Sequence, residues 1–494
     1  MIQAIDYAAI APVLIVAVAA VGVLLADVFG ASRQVLGLVS LGSLAAGLVT
    51  VIALASGPTR ATFCLPAGLR GGGPPSCSYV ADDFALVFQG VVFAAAVIVV
   101  LLSFGEITAS RSPAGEYYFL LLCAIAGVVT LVAARDLVLL IVALETLSLP
   151  VFALVALRRY DGAASEASLK LFLISVISAA VMLFGISLVY GVTGAMHLDR
   201  VATALAHTPS DLRPVAAVGV VMVLAGFAFK VAAVPFHFWA PDVYQGAPLP
   251  VAAFLSVVSK AGGFAGLVIT VAIGFPSYGY VWGPLIAVVA AVTMTLGNLV
   301  ALRQRHAVRL LAWSSVAQSG YMLAPLAVGG RRLSDAVAAT VAYVLLYAVM
   351  NIGAFSVVAA VARRRPRNLV KDYRGLARAN PAAGVALAFF LVCLAGLPPG
   401  VMGLFAKIVV FRATVAGGVV WLAVVMAVNT VIGLYYYLAW AVRLFGVLDP
   451  EPEAEAPRLR TGWAVGLAIG AAAAGAVVLS VAPQLVLQTV SAIT

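Results

Sequence analysis

Lysine is nearly missing from this chain. Its 494 residues include five lysines against 24 arginines. Charge of any kind is sparse, at 10% of residues, where a soluble chain carries about 25%. Hydrophobic residues make up 64%, and the mean hydropathy is +1.14. That balance excludes a soluble globular enzyme and implies a polytopic, all-α membrane protein, since an apolar run of about 20 residues spans a bilayer. The formal net charge of +10 does not indicate nucleic acid, because the basic residues are spread over many short loops with no basic domain. The first apolar run lacks a basic leader and carries Asp6 instead, so it reads as a retained helix and not as a cleaved signal.

Cysteine is almost as scarce, with four residues. Cys123 and Cys393 lie in apolar segments and read as small core residues. Cys64 and Cys77 share one polar loop, ATFCLPAGLRGGGPPSCSY; they could pair if that loop faces an oxidising compartment. No spacing suggests a metal or an iron–sulfur cluster, and no segment reads as a second domain or a soluble catalytic module.

What is present is a series of long apolar runs. The pattern predicts fourteen spans, near 8–29, 34–55, 84–105, 115–134, 137–157, 169–192, 215–238, 249–273, 281–302, 308–329, 335–362, 382–411, 418–443 and 462–487. One set of alternate loops holds 18 lysines and arginines and the other holds 8. By the positive-inside rule the richer set is cytoplasmic, which puts both termini, and the Cys64–Cys77 loop, outside. The acidic stretch DPEPEAEAP at 449–457 reads as a cytoplasmic linker.

Three of the five lysines, Lys230, Lys260 and Lys407, fall inside apolar runs, and Glu145 lies near the middle of the fifth. Each intramembrane charge costs roughly 2.5–3.5 kcal/mol at a helix centre, so four cost about 12 kcal/mol. Arginine stays charged, whereas a desolvated lysine can give up its proton near neutral pH. Arginine serves in the loops and lysine in the membrane, which points to proton or ion translocation over a static role. Glu145 and Lys230 are placed to form an ion pair that keeps the lysine charged; parting them would release the lysine proton. Lys260 and Lys407 extend the row. His237, Ser315, Gln318 and Tyr347 form a supporting polar path, with Ser314, Ser319, Tyr321, Tyr343 and Asn351 as further polar spacers; ordinary helix–helix polar contacts are the alternative for these.

Two spans are broken. In the seventh, GFAFKVAAVPFHFWAPDVY puts Pro235 and Pro241 after Lys230. In the twelfth, LAGLPPGVMGLFAK puts Gly396, Pro398, Pro399, Gly400 and Gly403 before Lys407. Proline removes a helix hydrogen bond, and a break inside the membrane is tolerated where it lines a cavity or a polar path. Broken helices five spans apart suggest paired repeats over spans 4–8 and 9–13. The chain then divides into an N-terminal part (1–114), repeat one (115–273), repeat two (281–443) and a last helix (462–487).

The stretches ALETLSLPVFALVAL, AFKVAAVPFHFWAPDVYQGAPLPVAAFLSVVSKAGG, RLLAWSSVAQSGYML, DYRGLARANP and LAGLPPGVMGLFAKIVVF together resemble the antiporter-like membrane subunits of respiratory complex I. The resemblance runs from about residue 115 to 440 and is closest to the N-type subunits of bacterial NADH-quinone oxidoreductase. APDVYQGAP at 240–248 is its most telling stretch, because the L- and M-type subunits and the multisubunit sodium/proton antiporters usually read differently there. The match has departures: GLFAK stands near the second break where the family often has a GF-x-GK-like run, and Trp313 stands where tyrosine is common. The resemblance implies about fourteen helices, two inverted five-helix repeats with discontinuous helices 7 and 12, and a relay of Glu145, Lys230, Lys260 and Lys407, the last toward the outside. It implies a proton-translocating subunit of a plasma-membrane complex whose NADH, FMN, iron–sulfur and quinone sites lie in partner subunits, with no cofactor on this chain. Its neighbours would be another antiporter-like subunit, small membrane subunits and lipid. A subunit of a cation/proton antiporter working without redox chemistry is the alternative.

Overall fold

A computed structural model describes residues 5–66, 68, 75–110, 112–157, 161–446 and 462–491. The acidic stretch 449–457 lies outside the described residues. In chain order the helices are α1 (Ala11–Val28), α2 (Arg33–Ala55), α3 (Asp83–Ser110), α4 (Ala114–Leu131), α5 (Leu137–Ala156), α6 (Gly162–Thr193), α7 (Leu198–Ala206), α8 (Arg213–Lys230), α9 (Trp239–Gly246), α10 (Leu249–Phe254), α11 (Lys260–Ile269), α12 (Gly279–Ala301), α13 (Ala307–Leu323), α14 (Leu333–Ala362), α15 (Leu376–Ala379), α16 (Pro381–Ala395), α17 (Val401–Ala416), α18 (Val420–Phe445), α19 (Trp463–Val481) and α20 (Gln484–Ser491).

Among the described residues, 12 helices are long and apolar enough to cross a membrane. Helices suit a bilayer because each satisfies its own backbone polar groups. Two of the expected spans are built from shorter pieces. The span at 308–329 is α13 followed by a 3₁₀ turn over Ala324–Val328. The span at 382–411 divides into α16 and α17. The seventh, expected over 215–238, stops being helical at Lys230, because the chain there must reach Pro235 without a helical donor. The last, expected over 462–487, divides at Pro483 into α19 and α20.

The sequence did not announce two elements. Arg60–Cys64 (β1) and Cys77–Ala81 (β2) form an antiparallel hairpin with Cys64 opposite Cys77, and these two cysteines are disulfide-bonded. The hairpin joins the α4–α5 turn, where the Arg135 amide donates to the Ser78 carbonyl at 2.8 Å. Helix α7 is short and amphipathic, burying Leu198, Val201 and Leu205. Both elements sit between apolar runs, where hydropathy carries no signal for them.

The centre of the bundle is α10 and α11, continuous through a π-helical turn over Leu255–Ser259, together with α14. Both are buried along almost their whole length, as expected of helices that are apolar all round. Small residues set the closest crossings. Gly127 of α4 lies against the backbone of Leu147 in α5, and Gly297 of α12 against that of Ala317 in α13, the approach that small residues allow between membrane helices. The start of α5 is bridged to the strand-like segment after α6 (Asp136 with His197). The start of α13 is bridged in the same way to the segment after α14 (His306 with Leu369).

Candidate functional site

Lys230 is the last residue of α8. A helix C-terminus carries partial negative charge and suits a cation. Beyond it the chain runs irregularly to Trp239, with Ala232 in the left-handed region at φ 57°. The Lys230 Nζ donates to Ser148 Oγ at 2.8 Å, and Ser148 donates in turn to the Leu144 carbonyl at 2.6 Å. The expected ion pair with Glu145 is therefore not a contact pair. Glu145 and Lys230 remain electrostatic neighbours, but Ser148, one turn further along α5, takes the lysine. Glu145 is half-buried, its Oε1 has no hydrogen-bond partner, and it lies in a line with Val138, Val142 and Leu149, which are exposed on the flank of the bundle. A cavity of about 10 Å³, room for roughly one water, is lined by Ser148, Ser175, Lys230 and Ser259, among others.

Ser259 ends the π-helical turn and Lys260 follows it. Lys260 is 2% exposed, and its ammonium has three donors. They reach the Ser315 carbonyl at 2.7 Å, Ser315 Oγ at 2.6 Å and Ser319 Oγ at 2.8 Å. Tyr347 of α14 donates to Ser315 Oγ at 2.8 Å, and its ring centroid is 5.9 Å from Lys260 Nζ.

Lys407 lies on α17, past the second break. Its Nζ donates to the Ala395 carbonyl at 2.5 Å, one of the carbonyls that α16 frees by ending there. Gly396, at φ +80°, lies so close that a Cβ on it would meet Lys407 Cδ at 2.9 Å. The Tyr321 ring lies 5.6 Å from the ammonium.

Helix α13 ties the two breaks together. Ser319 donates to the Val231 carbonyl at 2.6 Å, in the first break. Gln318 donates to the Leu394 carbonyl at 3.4 Å, at the edge of the second, and to Tyr437 at 3.1 Å. Tyr343 donates to Gln318 Oε1 at 2.5 Å, and Ser314 is hydrogen-bonded to Tyr437. Buried polar groups thus stand at both sites: Ser315, Ser319 and Tyr347 around Lys260, and Gln318, Tyr343 and Tyr437 beside the Leu394 carbonyl, one residue from the carbonyl that holds Lys407.

Of the expected supporting residues, Ser315, Gln318 and Tyr347 stand among these groups. His237 does not: its ring packs against Phe238 and Trp313, at 4.5 and 5.4 Å, and its buried Nδ1 is unpartnered. Ser148, Ser175 and Ser259 were not singled out from the sequence, because a serine in an apolar helix is an ordinary feature. Its spacing of one turn from Glu145 was the one available signal for Ser148. The APDVYQGAP stretch has a positional role. Asp242 accepts from Lys170 at 3.0 Å and from Arg309 at 2.8 Å, and Gln245 accepts from Arg309 at 3.0 Å, which pins α9 to α6 and α13.

Residues 134–433 match the transmembrane family described as NADH:quinone oxidoreductase/Mrp antiporter. The chain is 52% identical to NADH-quinone oxidoreductase subunit N 2 of Streptomyces griseus, over 99% of this chain and 94% of that one. Its fold is similar to that of a chain of respiratory complex I from Thermus thermophilus, with a TM-score of 0.78 and 32% identity over 98% of this chain and 100% of that one. It is also similar in fold to a chain of the Mrp complex of Dietzia, with a TM-score of 0.83 and 22% identity over 98% and 96%.

Proposed function

Because the chain belongs to the NADH:quinone oxidoreductase/Mrp antiporter transmembrane family, we propose that Glu145, Lys230, Lys260 and Lys407 pass protons along its length. The chain is an N-type subunit of NADH-quinone oxidoreductase, a proton-translocating membrane subunit that works beside the other membrane subunits of complex I. The likeness to the Mrp complex, at 22% identity, bears on the fold alone, so the antiporter reading is the weaker one.

The observation that carries the relay reading is the setting of the three lysines. All three are buried among helices, and no carboxylate lies within ion-pair distance of any of them among the described residues. Each is instead held by hydroxyls or carbonyls, which accept a hydrogen bond without fixing the charge. A lysine with a permanent carboxylate partner has little reason to release its proton; one held by neutral acceptors can load and unload. A small cavity lined by Lys230, Ser148 and Ser259 adjoins the residue before Lys260, and Gln318 and Tyr343 lie between Ser315 and the second break. Glu145, on the exposed flank of α5, stands at the end of the row where a neighbouring subunit would cover it.

We further propose that residues 115–273 and 281–443 are two inverted repeats. Gly127 and Gly297, Asp136 and His306, and Leu147 and Ala317 hold like positions at one common separation, as do Glu145 and Ser315. Each half also has a helix broken beside a lysine. The arginine-rich loops favour a cytoplasmic side that leaves both termini outside, and the redox cofactors belong to partner subunits.

Isolating the tagged chain in mild detergent and assaying NADH-dependent quinone reduction tests the assignment. Activity in a large multi-subunit particle is the expected result. A small particle without it, exchanging sodium for protons, would instead favour the antiporter reading.

A further inference from the structure

The first break is held from the other half of the chain. Between Lys230 and Pro235 four backbone amides need acceptors, since an amide left bare inside a membrane is strongly disfavoured. Three of them turn back onto α8. Val231 donates to the Phe227 carbonyl at 2.9 Å, Ala232 to that of Phe229 at 3.0 Å and Ala233 to that of Ala228 at 2.8 Å. The fourth leaves α8 altogether. The Val234 amide donates to the hydroxyl of Thr293 on α12 at 2.9 Å, and Pro235 after it has no N–H to offer.

Thr293 is suited to fixing that amide. It is 0% exposed, and its hydroxyl proton goes to the Val289 carbonyl, one turn back, at 2.5 Å. A hydroxyl has a single donor, so toward Val234 the oxygen can only accept, and its orientation is already set. One turn further along α12, Gly297 lies against the Ala317 backbone of α13, a crossing with no room for a side chain. Helix α12 is therefore locked to α13, which carries Ser319, and Ser319 donates to the Val231 carbonyl at 2.6 Å. Together α12 and α13 grip the break at one carbonyl and at one amide three residues on. Lys230 directly precedes the gripped stretch.

We propose that Thr293 is a positioning residue for Lys230. It fixes the chain just beyond the lysine, so that the end of α8 stays where the Lys230 ammonium meets Ser148. It passes no proton itself and acts through the backbone. Without its hydroxyl the Val234 amide loses its acceptor, and the two-point grip is reduced to Ser319. This role rests on the relay reading of Lys230.

The test uses the intact complex. Thr293→Val keeps the shape of the side chain and removes the hydroxyl, whereas Thr293→Ser keeps the hydroxyl. Thr293→Val should assemble, as read by NADH oxidation with an artificial acceptor. It should pump severalfold fewer protons per NADH, with an altered pH profile, and Thr293→Ser should restore most of the yield. An unmodified proton yield in Thr293→Val overturns the inference, as does a Thr293→Ser variant equally impaired. A yield lowered by one factor at every pH marks a merely structural role and overturns it too. If Thr293→Val fails to assemble, Thr293→Ala takes its place; if neither assembles, the side chain serves folding and the positioning role falls. Lys230→Ala measured alongside separates the two readings. Normal pumping there removes the relay, whereas normal pumping in Thr293→Val beside a failed Lys230→Ala removes the role of Thr293 alone.

Discussion

Ser319 donates its hydroxyl to the carbonyl of Val231 at 2.6 Å, and the same oxygen accepts from Lys260 at 2.8 Å. Val231 directly follows Lys230. One hydroxyl on α13 thus satisfies a carbonyl freed by the first broken helix and holds the next lysine in the row. Any movement of the broken segment is felt at Lys260 through one oxygen.

Replacing Ser319 by alanine should accordingly disturb both partners. A buried acceptor or donor left without its partner costs about 1–3 kcal/mol. The complex should assemble with lowered thermal stability and reduced pumping, read by a melting curve and by proton uptake into vesicles. An unchanged melting point with unchanged pumping would show that the bond does not couple these sites.

Lys230→Ala should leave an assembled complex that pumps at a small fraction of the normal rate. Lys230→Arg is the sharper variant, because arginine keeps the charge and does not release its proton. If the lysine acts only as a fixed charge, Lys230→Arg will pump normally; the relay reading expects it to fail with the alanine variant.

Glu145→Gln should be milder than Lys230→Ala, since Glu145 does not touch the lysine. Ser148→Ala, which removes the direct acceptor of Lys230, should harm pumping at least as much as Glu145→Gln. Side-by-side rates of quinone-coupled pumping for the two variants check that order, and the reverse order would restore a direct ion pair.

Gly396→Ala should fail for two reasons at once. The position has φ +80°, where an L side chain costs roughly 1–2 kcal/mol, and the new Cβ would press on the Lys407 stem. The expected outcome is lost pumping with near-normal NADH oxidation by an artificial acceptor. Coupled pumping at the normal rate would mean that Lys407 tolerates displacement.

The Cys64–Cys77 hairpin offers a test of sidedness. After reduction of intact cells, a membrane-impermeant thiol reagent should label these two cysteines. Labelling only in inverted vesicles would reverse the proposed orientation.

Much of this protein was legible before its structure. Apolar runs of membrane length place the helices, because a bilayer leaves the backbone few other ways to satisfy itself. Three of the five lysines, set among those runs, marked the row, and prolines and glycines marked both breaks. The hairpin and α7 were not legible, since neither is long or apolar. His237 looked like a path residue because it sits in the first break, yet its ring is turned into Phe238 and Trp313. Sequence position says which segment a side chain is on and not which way it points.

The primary structure by itself determined the class of protein, the apolar runs that form its long helices and the identity of the four charges set among them. It did so because burying charge in hydrocarbon is so unfavourable that residue type alone is informative. Only the tertiary structure decided the partners. It gave Lys230 the hydroxyl of Ser148 and not the carboxylate of Glu145, gave Lys260 three neutral acceptors, and let α13 reach both breaks from the adjacent residues Gln318 and Ser319. Such contacts join residues far apart in the chain, and they depend on helix rotation and crossing distance, which no local pattern of residues encodes.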